Sequence, residues 1–222
     1  MIRAVIFDID GTLIDSVDYH AQAWVEAFEK FGKDVRFEDV RGQIGKGGDQ
    51  LLPVFLTEDE LERFGKPLDE WWSEHLKRQY LPKFRAFPRV RALFERILAD
   101  GKQIALASSA KPEELARYKE IAGIADLIAD DEATSSADAE QSKPHPDIFL
   151  SALSKLGIDP CDVLVVGDTP YDAEAAGKAG LSTIGVLCGG FPEASLRDSG
   201  CIAIFRDPAD LLTSYDASPL AG

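Results

Sequence analysis

Residues 2–12 read Ile2-Arg3-Ala4-Val5-Ile6-Phe7-Asp8-Ile9-Asp10-Gly11-Thr12. The nearly unbroken apolar run Ile2 to Phe7 has the character of a strand covered on both faces, as in a parallel sheet between helices. It stops at two carboxylates two residues apart. Gly11 lets the backbone turn, and Thr12 offers a hydroxyl and an amide. Ligands of open parallel sheets bind beyond the carboxyl ends of the strands. Charge at this edge is therefore either chemistry or a polar loop closed by an Asx turn.

Three further runs outward from this one read as buried parallel strands: Gln103–Ala107, Val163–Gly167 and Thr183–Leu187. Amphipathic helical patterns lie between them. Val90, Leu93, Phe94, Ile97 and Leu98 share one face, ended by Gly101. Phe149, Leu150, Leu153 and Leu156 make a second, closed by Gly157, and Ala173, Ala176 and Ala179 a third, before Gly180. Alternation of strand and helix predicts a doubly wound α/β core. Residues 16–84 break the alternation. Val17, Ala21, Trp24, Phe28 and Phe31 trace one helical face, and further helices are expected over 36–43, 47–56, 57–65 and 67–80. The expected organisation is an α/β core of residues 1–15 and 85–222, with an all-helical domain of residues 16–84 inserted. The chain would cross between them near Asp15–Asp18 and Lys83–Phe87, an arrangement suited to a hinged lid. A last short helix is expected at Asp207–Leu212, followed by a frayed tail to Gly222.

Three later segments fall at expected strand ends. Ser108-Ser109 follows Gln103–Ala107 and would either hold phosphate oxygens or cap the next helix. Lys143 precedes Pro144 and Pro146; a fixed cation there would offset charge on a phosphoryl group, whereas a lysine in a loop is ordinarily just solvated. Gly167-Asp168-Thr169-Pro170-Tyr171-Asp172 follows the apolar Val163–Gly167. Hard divalent cations take oxygen ligands, which Asp8, Asp10 and Asp168 would supply, and Asp172 also fits an acidic helix start.

In their order and placement these segments resemble the signature of the haloacid dehalogenase superfamily: DxDGT, a Ser/Thr after the second strand, a lysine, then GDxxxD. The likeness runs along essentially the whole chain. The helical insertion matches the C1-type cap of the phosphoglycolate phosphatase and β-phosphoglucomutase branch. That resemblance implies a Rossmann-like core and a Mg²⁺-dependent phosphatase acting on a small phosphate monoester, a sugar phosphate or a phosphoglycolate-like acid. It implies that Asp8 is the nucleophile and forms a phospho-aspartate. Asp10 is implied as general acid and base. Mg²⁺ is implied on Asp8, the backbone carbonyl of Asp10 and Asp168, with Asp172 in support. Ser108, Ser109 and Lys143 are implied to bind the phosphoryl group, with Thr12 in support. Asp10 argues against the dehalogenase activity of the superfamily, whose members lack that carboxylate. The alternative within the resemblance is a β-phosphoglucomutase-like phosphomutase. A signalling receiver, which also surrounds a phospho-accepting aspartate with acids and a lysine, carries no such helical insertion.

Substrate choice would fall to the insertion. Gly45-Lys46-Gly47-Gly48 joins a cation to a flexible backbone, as an anion contact or simply a helix–helix turn. In the mutase branch a histidine at the place of His20 helps deliver a sugar hydroxyl. Trp24, Trp71 and Trp72 read mainly as packing residues, and Lys111 as a solvated residue near the cleft mouth.

The formal net charge of −15 opposes nucleic acid as a partner. No run of about 18 apolar residues is present to span a membrane. The opening residues lack the pattern of a signal peptide. Cys161, Cys188 and Cys201 are scattered, which opposes a disulfide framework or a structural zinc site. A cytoplasmic monomer or homodimer is the expectation.

Overall fold

Short strands in the first half of the chain frame a block of helices. The computed structural model describes residues 1–129 and 132–222. In chain order they begin with β1 (Ala4–Phe7), β2 (Ile14–Asp15), α1 (Val17–Lys30), α2 (Phe37–Arg41), α3 (Gly48–Phe55), α4 (Glu58–Glu60), α5 (Lys66–Gln79) and β3 (Arg85–Ala86). Then follow α6 (Val90–Ala99), β4 (Gln103–Ala107), α7 (Pro112–Ala122), β5 (Ala133–Thr134), α8 (Asp147–Leu156), β6 (Val163–Gly167) and α9 (Pro170–Lys178). The last elements are β7 (Ser182–Val186), α10 (Glu193–Asp198), β8 (Cys201–Phe205) and α11 (Pro208–Thr213).

The main sheet has the order β5-β4-β1-β6-β7-β8, and every pairing in it is parallel. The chain starts at the centre, winds outward one way, then returns and winds the other. This is the doubly wound α/β fold expected from the alternation, with its reversal of winding beside β1. Side chains of the central strands divide by the two-residue strand period. Val5, Phe7, Ile104, Leu106, Leu164 and Val166 face α6 and α7. Ala4, Ile6, Ala105, Ala107, Val163 and Val165 face α8 and α9. Burial on both faces is why these strands read as continuous apolar runs.

Helices α1 to α5 carry an apolar cluster of their own, containing Val17, Trp24, Phe28, Leu51 and Leu68. They leave the sheet at β2 and return at β3, which pair antiparallel as Ile14 with Ala86 and Asp15 with Arg85. Helical structure runs without interruption from Glu58 to Gln79, not as two helices. Pro67 has no N–H to donate, and the backbone absorbs this through a π-turn over Leu61–Gly65 rather than a break.

Three expectations are corrected. The tail is docked, not frayed: Tyr215 and Leu220 are buried, and the Ile2 amide donates to the Gly222 carbonyl at 2.8 Å. Leu150, placed by periodicity on the packed face of α8, is 49% exposed. Finally, β5 and β8 extend the sheet at its two edges beyond the four strands read from pattern.

Candidate active site

Asp8 stands at the end of the central strand, its amide donating to the Val166 carbonyl of the neighbouring β6 at 2.9 Å. β4 and β6 flank β1, so Ser108 arrives on one side and Asp168 on the other. Lys143 comes from the loop before α8 and is 1% exposed. Its ammonium lies 2.5 Å from Asp8 Oδ1 and 2.8 Å from Asp172 Oδ1, and donates to the Ala107 carbonyl at 3.2 Å. Burial alone would lower the pKa of Lys143, but Asp172 and Asp8 outweigh it and hold the ammonium above its ordinary value. Asp8 itself is pushed up to about 7. Burial is the largest cause, Lys143 opposes it, and the charges of Asp172 and Asp10 add to it.

Asp172 is bound twice over. Its Oδ2 accepts from the Thr169 hydroxyl at 2.7 Å and the Thr169 amide at 3.1 Å, closing the N-terminus of α9 as a capping box. The acidic helix start and the electrostatic role are therefore both realised, one on each carboxylate oxygen.

One feature fits a hard cation. Asp8, Asp168 and Asp172 are all buried, and one carboxylate oxygen from each lies within 4.8 Å of the others. Asp168 Oδ1 accepts from Thr12 Oγ1 at 2.9 Å, while its Oδ2 is buried with no hydrogen-bond partner. Burial, then Asp8 and Asp172, push the Asp168 carboxyl well above the usual range. An unpartnered buried carboxylate among like charges is unfavourable as it stands. An oxygen-ligated divalent cation answers both the missing partner and the excess negative charge. Backbone crowds the same group: a Cβ on Gly189 would lie 1.7 Å from Asp168 Oδ2, and one on Gly11, whose φ is +84°, would lie 2.3 Å from it. Neither glycine can be replaced without moving Asp168.

Asp10 turns away from this cluster. Its Oδ1 accepts from Ser16 Oγ at 2.6 Å and lies 3.0 Å from His20 Nε2. Burial opposes ionisation here too, but the charge and hydrogen bond of His20 and the Ser16 hydroxyl outweigh it and hold Asp10 below the usual carboxylate range.

In front of Asp8 and Asp10 opens a cavity of about 470 Å³. Ser108, Ser109, His20 and Lys46 line it together with Trp24, Trp72 and Lys111. Ser108 Oγ accepts from the Ala110 amide at 3.1 Å, but it is Lys111, not Ser108, that sits at the N-cap of α7. Lys46 donates to Gln43 Oε1 at 2.6 Å and lies 4.6 Å over the Tyr171 ring. Trp24 packs in the helical cluster as expected, and its ring stacks on Trp72 at 4.3 Å. Thr12, expected in a supporting place at the substrate side, is fully buried and does not line the cavity. Its hydroxyl lies between Asp8 and Asp168, so the side chain braces those carboxylates instead of facing a substrate.

Pattern reading overlooked Ser16 and Thr169. Both directly precede helices, where a hydroxyl signals a cap. The spacing Thr169-x-x-Asp172 is that of a capping box and could have been read, whereas nothing in the sequence joins Ser16 to Asp10.

A family model described as haloacid dehalogenase-like hydrolase matches residues 2–180. The chain is 30% identical over 192 residues to a phosphoglycolate phosphatase of Aquifex aeolicus, covering 84% of this chain and 85% of that protein. It is 31% identical over 206 residues to the chloroplastic protein SUPPRESSOR OF QUENCHING 1 of Arabidopsis thaliana. That match covers 90% of this chain but 19% of the longer protein. Among solved structures, a hydrolase from Pseudomonas syringae superposes with a TM-score of 0.87 at 27% identity, covering 97% of this chain and 98% of that one.

Proposed function

The chain belongs to the haloacid dehalogenase-like hydrolase family, and on that premise we propose that it is a Mg²⁺-dependent phosphatase of small phosphate monoesters. In this reading residues 1–15 and 85–222 form the catalytic core, and residues 16–84 form the lid over the cavity.

The observation that carries the reading is the pairing of two differently treated carboxylates at one cavity: Asp8 against Lys143, and Asp10 against His20 and Ser16. An Asp8 oxygen attacks phosphorus in line with the ester oxygen. The P–O bond to the alcohol breaks and an acyl phosphate forms on Asp8. Asp10 gives a proton to the leaving oxygen. The carboxylate so produced then takes a proton from the water that attacks phosphorus, and phosphate leaves as Asp8 is regenerated. Lys143 holds Asp8 in place and offsets charge on the transferring group. Ser108 and Ser109 line the same cavity and would bind its oxygens. Asp8, Asp168 and the Asp10 carbonyl would hold the cation, with Asp172 in support. When bound, the ion neutralises the acidic cluster and the charge of the phosphoryl oxygens.

The test is phosphate release from a panel of small esters, including p-nitrophenyl phosphate, with and without Mg²⁺. Release from at least one ester, abolished by a chelator, is expected. A panel left intact in the presence of Mg²⁺ would sink the reading.

A further inference from the structure

We propose that Asp69 is a specificity-determining residue that favours leaving groups rich in hydroxyl donors and rejects those carrying a second negative charge. The proposal rests on the phosphatase reading above and extends it to the far wall of the same cavity.

Asp69 lies on α5 and lines the cavity. It is half-buried, yet no hydrogen bond or ion pair joins its carboxylate to any described residue. An acceptor withdrawn from bulk water and left open toward a cavity is ready for a donor brought by a ligand. The surroundings define which donor. A Cβ on Gly48 would fall 2.5 Å from Asp69 Oδ1 and 3.5 Å from Trp24 Cη2, so the glycine makes room where carboxylate and indole meet. Trp24 stacks on Trp72 with their planes 10° apart. A carboxylate beside aromatic faces suits a carbon skeleton with C–H bonds on one side and hydroxyls at its edge.

No cation among the described residues lies within ion-pair distance of Asp69. Lys111 Nζ lies 3.4 Å from Ser73 Oγ. Lys46 is held by Gln43 and Tyr171, and the Lys66 side chain is 86% exposed beside Glu70. Burial, and the charges of Glu114, Glu70 and Asp49, outweigh Lys111 and push the Asp69 carboxyl above its ordinary value. A substrate carboxylate or second phosphate placed beside Asp69 would meet its charge together with those of Glu114, Glu70 and Asp49, countered there by Lys111.

The experiment compares kcat/KM for a hexose 6-phosphate, phosphoglycolate and a hexose bisphosphate in wild type, Asp69→Asn and Asp69→Lys. Wild type should prefer the hexose 6-phosphate over phosphoglycolate by about tenfold or more, the scale of one charge-assisted hydrogen bond. Asp69→Asn should shrink that ratio, and Asp69→Lys should shift it toward phosphoglycolate and the bisphosphate. Should Asp69→Lys fail to fold, the near-isosteric Asp69→Asn decides alone. A wild type that prefers phosphoglycolate, or a ratio unmoved by Asp69→Asn, overturns the proposal while p-nitrophenyl phosphate is still hydrolysed. Loss of that hydrolysis in wild type would instead remove the phosphatase reading and this proposal together.

Discussion

Asp8 and Asp10 stand two residues apart at one strand end, and their carboxylates enter opposite electrostatic surroundings. Asp8 Oδ1 lies 2.5 Å from Lys143 Nζ, and Asp10 Oδ1 lies 3.0 Å from His20 Nε2. Asp8 ends up raised to about 7 and Asp10 lowered. The difference follows from company rather than burial. Asp8 shares its pocket with Asp172 and Asp168, whereas Asp10 has a hydroxyl and an imidazole to itself. These directions belong to the cluster without a cation and run opposite to the assigned roles, which need Asp8 ionised and Asp10 protonated; a cation on Asp8 would favour its ionised form, and phosphate charge brought beside Asp10 would favour its protonated one.

Replacing the nucleophile keeps shape and removes reactivity. Asp8→Asn should lower kcat by at least about a thousandfold. It should also abolish hydroxylamine-labile phosphoryl labelling of the chain. Turnover near the wild-type value would mean that Asp8 is not the nucleophile.

Asp10→Asn should separate proton transfer from metal binding. A loss of kcat of about 10²–10⁴-fold is expected, with the Mg²⁺ concentration giving half-maximal activity little changed. The carboxylate faces Ser16 and His20, away from the other acids. Activity restored by excess Mg²⁺ would point to a ligand defect instead.

Lys143→Met removes the only charge drawn within 3 Å of both Asp8 and Asp172 among the described residues. Breaking a buried ion pair on one side typically costs about 3–5 kcal/mol. Urea unfolding at pH 8 should show a loss of that order, with activity gone. The loss should shrink in acid, where the stranded carboxylates take up protons. Equal stability of variant and wild type at pH 8 would show the ammonium to be dispensable to the fold.

Metal should stabilise the fold more at high pH than at low. Burial raises Asp8 from 3.8 to about 7 and raises Asp168 as well, so the folded protein binds protons that the unfolded chain has released. Between these values the contribution of both groups to stability falls as pH rises, and above the folded pKa it stays low. A bound cation reverses this by favouring the ionised forms. The rise in Tm on adding Mg²⁺ should thus be clear at pH 8 and small near pH 4.5, in a thermal melt. Identical rises at both would break the link between cation and carboxylates.

Leu220→Ala tests the docked tail. Leu220 is fully buried, and its removal should cost about 2–4 kcal/mol, at the level of a core leucine. A frayed tail would lose almost nothing. Denaturant unfolding distinguishes the two.

The central fold was legible because β1, β4 and β6 are buried on both faces, leaving no polar positions to blur the pattern. The short strand β5 was not, since Ala133 and Thr134 carry no period. β8 lies at the sheet edge, so only Cys201 of its five residues is buried and its apolar run CIAIF gave no clear sign of pairing. At the site, the two acidic segments were visible as charge placed after apolar strands, whereas Lys143 follows a polar stretch and stood out only by the two prolines after it. The contact of Asp172 with Lys143 was invisible, because it depends on where two distant loops meet, whereas its cap with Thr169 is local. The helices expected over 57–65 and 67–80 run together, since the π-turn that joins them leaves no mark in composition. Nothing in the helix expected over 67–80 marks Asp69 for the cavity wall, because Gly48, which leaves it room, is distant in the sequence.

The two-residue ladder of Ile14–Asp15 with Arg85–Ala86 has a consequence for how such a molecule can change. Partners across an antiparallel pair stand about 5 Å apart. A polypeptide that departs and rejoins at neighbouring positions is a cassette. It can be lengthened, exchanged or excised with a short turn joining the cut ends, and the register of the six-stranded sheet need not shift. On the proposed reading, recognition and reaction would be separately editable parts of one chain, provided that Ser16 and His20, which lie inside the cassette and hold Asp10, are carried over with each graft.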